Sequence, residues 1–90
     1  MTTNSYPWKT VWITGASSGI GRKLAVSLAA AGVKVAASSR SADKLMELAV
    51  IQPDISTFPL DVTDREAVLE CTEKMATEFG EIDLAILNAG

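Results

Sequence analysis

The sequence predicts an α/β fold: a Rossmann-type, doubly wound parallel sheet of strand order 3-2-1-4, represented by its first four strands and three helices. Three observations predict it. Short β-branched runs alternate with stretches whose apolar residues recur at helical spacing. The connections are short and end in glycine, proline or a capping residue. The first strand-to-helix junction, Thr14 to Gly21, holds three glycines, as a tight turn packed on a sheet requires.

Residues 1–8 are polar up to Pro7 and read as an arm, with Trp8 placed to cover the start of the first strand; residues 9–90 read as the N-terminal half of the domain. Lys9 to Thr14, β-branched and aromatic, reads as a buried parallel strand. Ile20, Leu24 and Leu28 recur at i, i+4, i+8 and predict an apolar face on a helix from Gly19 to Ala31, stopped by Gly32. Val33 to Ser38 completes a βαβ unit. Ser41 caps a second helix that ends before Pro53. Ile55 to Leu60 reads as a strand at the sheet edge, because Pro59 has no N–H to donate. Thr63-Asp64-Arg65-Glu66 reads as a capping box with Thr63 as N-cap. The helix it opens places Ala67, Cys71, Met75 and Phe79 on one line and stops at Gly80. Ile82 to Leu87 reads as a fourth strand, buried on both sides.

Composition narrows the function classes. With 90 residues, 48% hydrophobic and 21% charged, the chain is one small globular domain at most. A net charge of −3 with no basic run argues against a nucleic-acid surface. No apolar run is long enough to span a bilayer, and Met1 to Tyr6 lacks the regions of a signal peptide, so the expectation is a cytoplasmic protein without membrane association. The single cysteine, Cys71, has no internal disulfide partner and falls on the core line of its helix. No metal site is expected.

The glycine junction is the first candidate site. A helix N-terminus presents unsatisfied N–H groups and partial positive charge, and glycines let the backbone approach a pyrophosphate. The spacing of Gly15, Gly19 and Gly21 is not that of the general dinucleotide fingerprint, and no Walker lysine follows. Thr14-Gly15-Ala16-Ser17-Ser18-Gly19-Ile20-Gly21 follows T-G-x-x-x-G-x-G and resembles the cofactor loop of the classical short-chain dehydrogenase/reductase family. Sugar-nucleotide epimerases of the extended family typically show T-G-x-x-G-x-x-G, whereas Ser18 stands three after Gly15 here.

The resemblance runs from about Val11 to Gly90 and implies a dinucleotide held by Thr14, Gly15, Ser17, Ser18, Gly19, Ile20 and Gly21. At the end of the second strand, where an NAD site places a carboxylate on the ribose, the residues are Ser39 and Arg40. A guanidinium fork there suits a 2′-phosphate, which favours NADP(H) over NAD(H). Some NADP-preferring members add a basic residue inside the glycine loop; here that stretch is Ala16-Ser17-Ser18. Asp61, followed by Val62, matches the family's adenine-binding Asp. Asn88, Ala89 and Gly90 match the end of its N-N-A-G motif, with Leu87 in place of the first Asn.

Catalysis in that family uses a Tyr and a Lys four residues later, with a Ser and an Asn. The lone tyrosine here is Tyr6, with Thr10 four residues on, and histidine is absent, so no catalytic residue is assigned. The resemblance implies an NADP(H)-dependent oxidoreductase acting on a small carbonyl or alcohol substrate whose pocket is not in these residues. These 90 residues would be its dinucleotide-binding part, inactive alone, and the full-length parent could form a homo-oligomer. The alternative is a non-catalytic NADP(H)-binding module or a half-fold completed by a partner.

Overall fold

The computed structural model describes residues 8–17 and 19–87. Seven elements follow one another: β1 (Thr10–Thr14), α1 (Gly19–Ala30), β2 (Lys34–Ser39), α2 (Ala42–Ile51), β3 (Ser56–Pro59), α3 (Arg65–Phe79) and β4 (Leu84–Ile86). The strands form one sheet of order β3-β2-β1-β4, all pairs parallel, with Trp12 beside Ala36 on one side and Ala85 on the other. This is the partial Rossmann fold expected from the sequence.

The alternation of β1 divides the core in two, because successive strand residues face opposite sides. Val11 and Ile13, with Val35 and Ala37 of β2, meet Ala25, Leu28 and Ala29 of α1 and Leu45 and Leu48 of α2. Trp12 and Ala36 face the other way, onto Cys71 and Met75 of α3. Two helices therefore cover one face and one covers the other, as right-handed crossovers demand. Phe58 of β3 and Phe79 of α3 close the second layer edge to face, ring centroids 6.1 Å apart. Trp8 is half-buried against the first layer, as expected of a residue covering the start of β1. The rest of the expected arm lies outside the described residues.

Several element ends differ from the sequence reading for local reasons. Strand β2 begins at Lys34, because the Val33 N–H still donates to Leu28 O of α1 at 3.0 Å. The N-cap of α3 is Asp64, not Thr63: the Asp64 carboxylate accepts the Ala67 N–H at 3.2 Å, while Thr63 is engaged by Asp61. Both residue types cap helices well, and Asp61 decides between them. On α1 the buried line is Gly21, Ala25, Leu28 and Ala29; Leu24 is half-buried and Ile20 is 72% exposed, so the expected apolar face begins one residue later. Gly21 is on the buried line and its neighbour Ile20 is outside it. Strand β4 is shorter than expected and not buried on both sides: Leu84 and Ile86 are half-buried and Ala85 is exposed. Among the described residues it pairs with β1 alone.

Beneath the sheet a contact not expected from the sequence ties β4 to β1. Asp83 Oδ2 accepts the N–H groups of Lys9 and Thr10 at 2.7 and 2.9 Å, and the Asp83 N–H donates to Thr10 O at 3.0 Å.

Candidate functional site

The carboxyl ends of β1, β2 and β3 lie side by side, so the segments leaving them share one edge of the sheet. From β1 the chain enters the glycine junction. Gly15 and Gly19 have φ of +62° and +60°, a left-handed backbone that side chains with a Cβ rarely adopt. A Cβ built on Gly19 would meet no heavy atom within 4 Å, so this part of the turn fronts open space. Ala16 is fully buried, and its N–H donates to Ser38 O at 3.1 Å, which pins the turn to β2. Helix α1 starts with no acidic residue in its first turn, leaving the positive end of its dipole uncompensated from within.

From β2 the chain passes through Ser39 and Arg40. The Ser39 hydroxyl donates to Ser17 Oγ at 2.7 Å and accepts the Ser41 N–H at 3.1 Å; its backbone carbonyl accepts the Leu60 N–H at 2.9 Å. One residue therefore joins the glycine junction, the start of α2 and the end of β3. Ser41 caps α2 as the sequence indicates, its hydroxyl accepting the Lys44 N–H. Arg40 is exposed at the same edge.

From β3 come Asp61 and Val62, both exposed. Asp61 Oδ1 takes two donors from Thr63, the hydroxyl at 2.6 Å and the N–H at 2.9 Å, an Asx turn whose signal was the Asp-x-Thr spacing. The Thr63 hydroxyl, then its N–H, hold the Asp61 carboxyl below its usual range against a small opposing effect of burial, and the Arg40 charge adds to the lowering. Arg40 and Asp61 thus feel one another across the edge. Thr14, at the end of β1, donates its hydroxyl to Ile86 O at 3.5 Å, joining the carboxyl ends of β1 and β4.

The structure thus brings Thr14, Gly15, Ser17, Gly19, Ile20, Gly21, Ser39, Arg40, Asp61 and Val62 to one edge; Ser18, Asn88, Ala89 and Gly90 lie outside the described residues. Beneath the edge, Trp12 Nε1 donates to Ser38 Oγ at 2.9 Å inside the core, a contact with no local sequence signal. Cys71 is buried there, and burial pushes its thiol up while a hydrogen bond with Ser38 and the charge of Lys74 pull it back. Among the described residues no cluster of side chains could hold a metal ion, and no helix is long and apolar enough to cross a membrane.

A family model described as short chain dehydrogenase matches residues 9–90. The chain belongs to the short chain dehydrogenase family. Dehydrogenase/reductase SDR family member 7 of Mus musculus is 39% identical over 88 residues, which are 89% of this chain and 26% of that protein. An uncharacterized oxidoreductase of Staphylococcus saprophyticus is 41% identical over 87 residues, 91% of this chain and 37% of that one. A crystal structure of a short chain dehydrogenase from Bacillus anthracis matches with a TM-score of 0.86 at 34% identity, over 91% of this chain and 35% of the other. The chain spans between a quarter and two fifths of these relatives' lengths.

Membership of the short chain dehydrogenase family implies binding of NAD(P). The residues at the edge fit such a ligand: a left-handed glycine turn facing open space, a helix start without acidic residues, and one exposed guanidinium.

Proposed function

We propose that this chain is the dinucleotide-binding part of an NADP(H)-dependent oxidoreductase that transfers hydride to or from a small carbonyl or alcohol substrate. Arg40 carries the preference for NADP(H). The position after β2 where NAD sites present a carboxylate holds Ser39 and Arg40, and the Ser39 side chain is already committed to Ser17 and Ser41. A guanidinium beside the adenosine ribose pairs with a 2′-phosphate and finds no comparable partner on an unmodified ribose.

On this reading the glycine junction, Thr14 to Gly21, takes the pyrophosphate, Asp61 and Val62 take the adenine, and Asn88 to Gly90 run along the ribose. The carboxylate suits the adenine amino group because both Thr63 donors fall on Oδ1, which leaves Oδ2 as an acceptor. When bound, the cofactor's nicotinamide supplies the hydride chemistry; these residues bind and orient it. No residue among the 90 is given a catalytic role, and the chain alone is proposed to be inactive. A cytoplasmic location is part of the same proposal.

The test is direct titration of the full-length protein with NADPH and NADH by calorimetry. NADPH should bind about tenfold or more tightly, from the strength of a charge-assisted hydrogen bond. Equal affinities would remove Arg40 from the 2′-phosphate and leave the cofactor assignment at NAD(P).

A further inference from the structure

We infer that Thr63 is a positioning residue for the cofactor's adenine: its hydroxyl and its backbone N–H together hold one oxygen of the Asp61 carboxylate, so that the other stays free and fixed in place for the adenine amino group. The inference rests on the proposed reading in which Asp61 takes the adenine, and deepens it.

Chemistry sets the donor and acceptor roles in this contact. An ionised carboxylate only accepts, and a backbone N–H only donates. Thr63 Oγ1 therefore gives its proton to Asp61 Oδ1 at 2.6 Å, and the Thr63 N–H reaches the same oxygen at 2.9 Å. The hydroxyl first and then the N–H hold the carboxyl below its usual range, with the Arg40 charge adding to them, so the group is ionised at neutral pH. Two donors converging on Oδ1 oppose rotation of the carboxylate that would exchange its two oxygens.

The fold has other means of holding this segment. The Leu60 N–H donates to Ser39 O at 2.9 Å and the Asp64 N–H to Asp61 O at 3.0 Å, so backbone bonds fix the chain on both sides of Asp61. Helix α3 takes its cap from Asp64, whose Oδ1 accepts the Ala67 N–H at 3.2 Å. Asp61 and Thr63 are both exposed, where water competes for the same donors and acceptors, so the hydroxyl contact adds little to stability. Its effect falls on the direction of the carboxylate. An exposed aspartate that pairs with a ligand gives up rotamer freedom on binding, whereas one already held has given it up on folding. The adenine amino group is a donor and meets Oδ2, the oxygen Thr63 leaves unused. A base with hydrogen in place of that amino group has nothing to place there.

The experiment measures dissociation constants of the full-length protein by calorimetry for NADPH and NADH, each beside its purine analogue, in which hydrogen replaces the adenine amino group. The comparison is thus independent of the 2′-phosphate. The parent should bind the adenine forms about five- to tenfold more tightly than the purine forms. Thr63→Val, which keeps the shape and the N–H, should weaken the adenine forms by about threefold or more and leave the purine forms within about twofold. Thr63→Ser, which keeps the hydroxyl, should restore the preference. Asp61→Ala should abolish it, and adding Thr63→Val to Asp61→Ala should change little more, because Thr63 acts through Asp61. If Thr63→Val fails to fold, Thr63→Ala takes its place. Equal weakening of adenine and purine forms, no weakening, or no restoration by Thr63→Ser, in a parent that prefers adenine, would overturn the inference. A parent with no preference for the amino group, or one whose preference survives Asp61→Ala, would instead overturn the reading that Asp61 takes the adenine.

Discussion

Asp83 holds the N–H groups of Lys9 and Thr10 with a single carboxylate oxygen, at 2.7 and 2.9 Å, and so joins the segment before β4 to the start of β1. These two donors, the Lys9 N–H first, keep the Asp83 carboxyl below its usual range despite a small opposing effect of burial. A carboxyl whose folded value is lowered contributes stability that is fully present above its unfolded value of about 3.9 and is lost as pH falls through the folded value. Asp83→Asn should therefore unfold at lower temperature than the parent at pH 7, with the gap shrinking below about pH 4. Thermal unfolding from pH 2 to 7 checks this; a gap independent of pH would mean that the charge of Asp83 contributes nothing.

Thr63 supplies both hydrogen bonds that lower the Asp61 carboxyl. Thr63→Val keeps the shape and the N–H but removes the hydroxyl, the larger of the two influences. The Asp61 pKa should rise toward the ordinary carboxylate value, read by NMR titration of its side-chain carbon. No change would mean that the N–H and Arg40 suffice. Helix α3 should keep its start, since Asp64 and not Thr63 caps it.

Arg40→Ala should weaken NADPH binding by about tenfold or more and leave NADH nearly unchanged. Ser39→Asp should move the preference toward NADH, since a carboxylate there repels the 2′-phosphate and accepts from ribose hydroxyls. Competitive calorimetry of the two cofactors reads both variants. A preference that stays put in Ser39→Asp would mean that the end of β2 does not face the ribose.

Trp12 and Ser38 form a buried side-chain hydrogen bond at 2.9 Å across β1 and β2, with Ser38 fully buried. Trp12→Phe keeps much of the apolar area and removes the donor, so it should destabilise the fold by about 1–3 kcal/mol. Chemical denaturation measures it, and the double variant with Ser38→Ala should cost less than the two single changes added together. Additive costs would mean that the bond contributes little and that lost packing accounts for the effect.

Features governed by neighbours in the chain were legible without a structure: Ser41 as the cap of α2, Gly32 and Gly80 as helix stops, and Pro59 at a sheet edge. The competition at the start of α3 was not. Thr63 and Asp64 are both good caps in a one-dimensional reading, and Asp61 settles the choice by taking the Thr63 hydroxyl, which is a matter of geometry over three residues. Ile20 was misplaced for a related reason: helical spacing finds an apolar line, but the way α1 rests on the sheet decides which line is buried, and it is the one through Gly21, Ala25, Leu28 and Ala29.

By itself the sequence determined the alternation of strands and helices and a glycine turn and Arg40 at the carboxyl ends of β1 and β2, because periodicity and capping are short-range rules; the order of the sheet was expected from the doubly wound fold that these elements resemble. Tertiary structure decided what joins those ends: Asp83 under β1 across more than seventy residues, Trp12 on Ser38, and Ser39 between Ser17 and Ser41. Such contacts depend on which residues the parallel register brings side by side, and no local pattern encodes a partner met only after the sheet has formed.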